Sequence, residues 1–306
     1  MTLPTTTIPG GAASTTPRRS SEDSRRAALP TSRRSDRHRW GTTVLLMLGA
    51  LTVILPFYVT ISMAFKTGEQ AVEGEAFALP APFSVEGFST AWALTDFPRA
   101  FTISILITLA TVIGTILLSA MASYAISRNW EKKAYRWAFY YLLAAMFLPF
   151  PVLALSQVKL TGMVELANPL GVALLHIMFQ ISFSTLLFTA FLRSLPAELE
   201  ESARMDGAST AGAFWRIVFP LMAPMSATVG IFAFLKSWND FMMPSLIIAD
   251  PTLQTLPVIQ EIFQTQFSNN YHVSFASYLM AMAPAIIAYV ISQRWVLSGL
   301  TQGAVK

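Results

Sequence analysis

Residues 201–220 read ESARMDGASTAGAFWRIVFP, a partly charged stretch between two long apolar runs. Glu201, Ser202 and Ala203 are followed by three residues and then Gly207. Nine more residues lead to Ile217, one to Phe219, and then comes Pro220. Upstream, Pro196 suits the first turn of a helix, where its missing N–H is no loss. Glu198, Glu200 and Glu201 then complement the positive end of the helix dipole. Gly207 can close that helix through a left-handed cap, and Ser209 or Thr210 can cap a second helix running toward Pro220. The expectation is a helix–turn–helix knuckle that presents carboxylates outward. Composition alone also allows an interfacial loop with Trp215 and Arg216 as headgroup anchors.

The surrounding chain sets the solvent. Of 306 residues, 54% are hydrophobic and only 12% charged, against about 25% charged in soluble domains. The apolar residues fall in runs that read as six spans, about 41–64, 101–127, 136–158, 170–192, 220–248 and 275–293. Each approaches or exceeds the ~20 residues that cross a bilayer, and in lipid such runs must be helical to satisfy their own backbone groups. The expected fold is therefore an all-α membrane protein with six transmembrane helices. With no cysteine, thiolate chemistry, cysteine metal sites and disulfides are excluded, and the redox compartment stays open.

Charge gives the orientation. Residues 1–40 carry eight arginines and three acids, a net +5, whereas the whole chain nets +4. The basicity is thus a property of the tail, which is rich in Ser, Thr, Pro and Gly and is expected to be disordered. No aromatics interleave with its arginines, so nucleic acid is not the expected partner. The tail instead favours the positive-inside side and anionic membrane lipid. Arg18-Arg19-Ser20 resembles an export signal, but the apolar run that follows is span-length and lacks a small-residue cleavage site. With the N-terminus inside, inner segments hold 17 Lys and Arg and outer segments three (Lys66, Arg99, Lys159), Lys236 lying within a span. The bias places both termini and the 193–219 loop in the cytoplasm. The outer loops, 65–100 and 249–274, are long enough for short external structure.

Several spans carry polar residues. Lys236 and Asp240 lie four apart in the fifth span, beside Asn239, where one helix face would let them pair. A charge there is costly, and the cluster reads either as part of a translocation path or as an internal pair joining spans. His176, Gln180 and Ser184 share one face of the fourth span. They read either as directional donors and acceptors for a sugar or as interhelical hydrogen bonds. His38 and His272 lie at other depths, so no metal site is expected. Thr111, Thr115, Ser119 and Ser123 form a small-residue stripe that reads as close helix packing. Pro56, Pro149, Pro151, Pro224 and Pro284 are expected to kink spans or mark their ends.

Three blocks resemble one family: Leu199–Pro220; Ser237-Trp238-Asn239-Asp240-Phe241 with Leu256-Pro257; and Gln293-Arg294-Trp295 through Gly299-Leu300-Thr301 to Gly303-Ala304-Val305-Lys306. Over residues 41–306 the chain is similar to ABC importer permeases of the carbohydrate-uptake type, the maltose and multiple-sugar class, in its smaller six-span form. The first block matches the cytoplasmic EAA loop of that family, with Ser202 in place of the first alanine and Phe219 in place of the leucine. Many relatives add a final glycine after the position of Lys306.

The resemblance implies a type I ABC importer transmembrane domain that catalyses nothing itself and carries no cofactor, ATP and Mg being bound by a partner ATPase. It implies that Glu200, Glu201, Ser202, Ala203, Asp206, Gly207, Ile217 and Pro220 form the contact with the ATPase, Glu201 facing one of its arginines. It also implies that Thr301, Gln302, Gly303 and Lys306 reach into the ATPase dimer. The partners implied are a second homologous permease, the ATPase dimer and an extracytoplasmic sugar-binding protein on the outer loops, all at the bacterial cytoplasmic membrane. Lys236, Asn239, Asp240, His176 and Gln180 are the candidate translocation path. The implied substrate is a di- or oligosaccharide, with glycerol-3-phosphate or another polyol phosphate as the alternative. An ion-coupled secondary transporter would need a coupling-ion site, for which only the 236–240 cluster is available. An intramembrane enzyme would need a motif such as HExxH or GxSxG, and neither is present.

Overall fold

The computed structural model describes residues 34–266 and 270–304, with side chains from 40 to 261 and from 270 to 293. The described residues form helices and turns, with no strand among them. The chain divides into two units, Met1–Val53 and Ile54–Lys306. In order the helices are α1 (Arg34–Ala64), α2 (Gly68–Glu73), α3 (Glu86–Leu94), α4 (Phe97–Arg128), α5 (Lys133–Ala145), α6 (Phe150–Met163) and α7 (Pro169–Leu192). There follow α8 (Glu198–Met205), α9 (Thr210–Ala213), α10 (Phe219–Leu221), α11 (Ala223–Trp238), α12 (Met242–Ile247), α13 (Leu256–Gln266) and α14 (Tyr271–Ala304).

Four stretches are long and apolar enough to cross a membrane: Trp40–Ala64, Phe97–Arg128, Pro169–Leu192 and Tyr271–Gln293. They match the first, second, fourth and sixth expected spans. The third and fifth are broken helices. α5 and α6 meet at 102°, and Thr210–Leu221 meets Ala223–Trp238 at 74°. The count is therefore four, or up to six if each bent pair is one span. The first break coincides with Pro149 and Pro151, since proline removes a helix hydrogen bond and disfavours helical geometry in the residue before it. Pro224 stands just past the second break, while Pro56 and Pro284 lie inside continuous helices.

In the first unit, the described part of α1 exposes its apolar side chains, among them Leu45, Leu48 and Leu51. In the second, α4 and α7 form the most extensive helix pair, and α11 packs on α4. The stripe Thr111, Thr115, Ser119 and Ser123 is fully buried in α4, as expected of a packing surface. Gly114 marks a close approach: a Cβ there would stand 2.4 Å from Ile177 Cδ1. Along the stripe the hydroxyls of Thr111, Thr115 and Ser119 find no partner, and among the described residues Ser123 Oγ donates directly to α7, to the Thr185 carbonyl at 3.0 Å. Toward the α8 end, Tyr124, Phe188, Leu192, Phe214, Val218 and Met222 belong to one apolar cluster.

The 65–100 loop carries α2 and α3, and the 249–274 loop carries a short 3-10 turn and α13. Tyr58 and Ser62 on α1, and Lys66 just past its end, reach the carbonyls of Phe77, Ala78 and Glu75. Lys66 is almost fully buried by this strap.

Candidate functional site

The knuckle forms as its sequence suggests, with α8 starting at Glu198 rather than at Pro196. The first turn holds Glu198, Glu200 and Glu201. Gly207 sits at φ +88°, and two hydrogen bonds close the turn: Ala208 N–H to Ala203 O at 2.9 Å and Gly207 N–H to Arg204 O at 3.0 Å. That pattern is a Schellman cap, and its positive φ is what glycine supplies without a Cβ penalty. Ser209 caps α9, accepting from Gly212 N–H at 3.1 Å. A π-helical turn, Phe214–Val218, joins α9 to α10. Glu201, Ser202, Asp206 and Pro220 are exposed, and Ala203 and Ile217 half-buried.

Glu200 departs from the expected outward row. It is 3% exposed and turns toward the end of α4. Its carboxylate accepts from Arg128 Nε at 2.7 Å and from Tyr124 Oη at 3.0 Å. Arg128 Nη2 makes a second, closer contact, and Arg204 stands 3.8 Å away. Nearby, the Arg193 guanidinium lies 3.9 Å over the Trp130 ring. A cavity of about 560 Å³ opens beside Glu200, lined by Arg128, Asn129, Glu201 and Arg204 among others. The sequence signal for Tyr124 and Arg128 was their i,i+4 spacing at a span end, where Arg128 read only as a topology charge.

The second polar cluster also differs from the expected pairing. α11 ends at Trp238, so Asp240 is not on the same helix as Lys236. Asp240 instead faces α7: His176 Nε2 stands 2.8 Å from Asp240 Oδ2, and the acceptor carboxylate fixes Nε2–H as donor. His176 Nδ1 faces Ser237 Oγ at 3.0 Å, which in turn is 3.4 Å from Thr108 Oγ1. The other Asp240 oxygen caps α12, accepting from Met242 N–H at 3.0 Å and Met243 N–H at 3.4 Å. One polar chain thus joins α4, α11, α7 and the start of α12. His176 is buried at 2% exposure.

Lys236 is left outside that chain, with no carboxylate within 4 Å among the described residues. It lines two cavities of about 470 and 480 Å³, which share Met146, Phe179 and Lys236. His176 and Asp240 border the first, and Gln180, Phe183 and Phe232 the second. The Gln180 amide nitrogen is buried without a partner. Asn239 caps α11 and donates to Leu235 O at 2.8 Å; it borders neither cavity. An ammonium, an amide and phenyl rings around open space make an amphipathic surface suited to polyhydroxy ligands. Among the described residues no group of acids and histidines could hold a metal. The side chains of Thr301 and Gln302, and all of Lys306, lie outside the described residues, as does the tail before Arg34; Gly303 falls within the described backbone of α14.

Residues 115–302 match the family described as binding-protein-dependent transport system inner membrane component. The chain belongs to that family of integral inner-membrane transport components. It is 32% identical over 266 residues to the multiple sugar-binding transport system permease protein MsmG of Streptococcus mutans, covering 86% of this chain and 95% of that one. It is 31% identical to the melibiose/raffinose/stachyose import permease protein MelC of Bacillus subtilis (86% and 95% covered). To the diacetylchitobiose uptake system permease protein DasC of Streptomyces coelicolor it is 29% identical (87% and 95%). In structure it is similar to a chain of a bacterial ABC transporter that imports the acidic polysaccharide alginate, with TM-score 0.74, 23% identity and coverage of 87% of this chain and 99% of that one. The fold is thus that of a type I ABC importer permease.

Proposed function

We propose that the chain is the smaller permease subunit of an ATP-driven importer of di- or oligosaccharides in a bacterial cytoplasmic membrane. The observation that carries the reading is the capped knuckle at 198–220, with Glu201 exposed beside a glycine turn at φ +88°, in a chain whose relatives are named as sugar permeases. The knuckle and the two ends of the chain lie on the cytoplasmic side, as the 17-to-3 cation bias favours.

In this mechanism α8 sits in a groove of a cytoplasmic ATPase, with Glu201 meeting an arginine there. Ser202, Ala203, Asp206, Gly207, Ile217 and Pro220 shape the docked surface. The end of the chain, Thr301, Gln302, Gly303 and Lys306, reaches into the ATPase dimer. ATP-driven closure of that dimer moves this permease and a second, homologous one between inward- and outward-open states, and ATP and Mg stay with the ATPase. An extracytoplasmic binding protein delivers the sugar to the 65–100 and 249–274 loops. A structure of an alginate transporter with its periplasmic protein shares this fold, at TM-score 0.60 and 14% identity. Within the membrane, Lys236, Gln180 and the cavity-facing edge of the His176–Asp240 pair form this half of the path. A polyol phosphate is the second reading, favoured by one observation: the Lys236 ammonium has no carboxylate partner among the described residues.

Affinity purification of the tagged chain from native membranes, followed by mass spectrometry, tests the assembly. Recovery of an ABC ATPase, a second permease and a sugar-binding protein is expected. The chain recovered stable and alone would point to a self-sufficient transporter. Glu201→Arg should abolish uptake while the protein stays membrane-inserted, and undiminished uptake would remove the coupling role.

A further inference from the structure

One buried acid ties α8 of the knuckle to the end of α4. Glu200 is adjacent to Glu201 in sequence, yet it faces the opposite way, 3% exposed. Its two oxygens are divided between Arg128 Nε at 2.7 Å and Tyr124 Oη at 3.0 Å. Both partners lie in the last two turns of α4, a helix of 32 residues. Arg128 is itself mostly covered, its side chain 20% exposed, so water competes weakly for the pair. Two further contacts surround it. Tyr124 packs on Phe214 with centroids 5.0 Å apart, and Arg204, at the far end of α8, stands 3.8 Å from the same carboxylate. By contrast, the chain's own route from the knuckle to α11 passes a π-turn and a 74° bend, a path with more compliance than a straight helix.

From this geometry we propose that Glu200 is a positioning residue for coupling, and that its clasp on Arg128 and Tyr124 directs displacement of α8 into α4. Glu201 meets the partner and Glu200 holds the chain's own frame, so adjacent acids serve opposite sides of one short helix. This rests on the importer reading above. Without the clasp α8 still docks, but it tilts against the bundle instead of moving it, and ATP is spent without transport.

The test uses the assembled complex in proteoliposomes. Glu200→Gln and Arg128→Gln should each keep ATPase co-purification and ATP hydrolysis near the native level while lowering sugar taken up per ATP by tenfold or more. The exchange Glu200→Arg with Arg128→Glu should recover a substantial part of that ratio, which a merely space-filling role would not produce. The chain has no cysteine, so spin labels can be placed on exposed Met205 of α8 and Met121 of α4. The distance distribution between them should be narrow in the native chain, broad in each single variant and narrow again in the exchange. Native uptake per ATP in both single variants overturns the proposal alone. Loss of assembly in the single variants without recovery in the exchange also overturns it, in favour of a purely structural role. A native chain that carries no ATPase overturns the importer reading and this proposal together.

Discussion

His176 Nε2 stands 2.8 Å from Asp240 Oδ2 across the α7–α12 contact, which engages the only carboxylate that borders the Lys236 cavities. Because Asp240 also caps α12, truncating it should leave a buried imidazole N–H and two backbone N–H groups without acceptors. Asp240→Ala is expected to lose about 1–3 kcal/mol of stability. Asp240→Asn should lose less, since its amide oxygen still caps the helix. Thermal unfolding in detergent separates them; equal midpoints for Ala and native protein would show that the bond carries no weight.

Lys236 makes the opposite case. With no carboxylate to strand, Lys236→Met should insert and assemble normally, and its uptake should change in rate or in preference among sugars. Competition between neutral and anionic sugars in vesicles is the measurement. Failure to assemble would mean that the ammonium serves structure rather than transport.

Gly207 has open space where a Cβ would go, so any cost of substitution comes from its φ of +88°. Gly207→Val should strain the turn by about 1–2 kcal/mol, and uptake should fall while the membrane bundle remains folded. Gly207→Asn should be milder, since Asn tolerates the left-handed region. Equal activity for all three would argue that the turn is not held in the working complex.

At the α4–α7 crossing, Gly114→Ala forces a methyl against Ile177 Cδ1. Overpacking of this kind costs about 1–3 kcal/mol. Ile177→Val in the same chain removes the colliding atom and should return most of the loss. A double-mutant cycle with no coupling would place the two helices farther apart.

Outside the spans, Asp250 accepts from the Thr252 amide and hydroxyl, both at 2.8 Å. These bonds, the amide first, hold its carboxyl below the ordinary range. The turn they close is therefore favoured above the normal carboxylate pKa and is lost as pH falls through the lowered value. The Thr252 amide resonance should titrate with a midpoint below that of an ordinary aspartate, and Thr252→Val should raise it.

Four spans were legible because lipid demands long apolar helices, and α4 and α7 end within about four residues of the expected limits. The sites of the two breaks were legible from Pro149, Pro151 and Pro224, but their angles were not: proline marks where a helix can bend, not by how much. The Lys236–Asp240 pairing failed for a related reason. Spacing by four implies a shared face only while the helix continues, and α11 stops at Trp238. Gly207 and Ser209 were legible because caps are local. Glu200 was not, since its partners on α4 are more than 70 residues away and helical spacing does not say which face meets them. The small-residue stripe was read correctly as packing, but not its lack of hydrogen bonds.

That stripe has a mechanical consequence. Thr111, Thr115 and Ser119 lie along α4 without a directional bond. Among the described residues Ser123 makes the direct bond from α4 to α7, near the α8 end, and Ser237 of α11 bridges Thr108 and His176 farther along. Between those two ties the seam resembles a plain bearing. Small side chains keep the surfaces close, and almost nothing need be broken for one helix to creep along the other. Resistance to sliding along this stretch is therefore mainly steric, so the two helices can shift and return without re-forming a ladder of contacts.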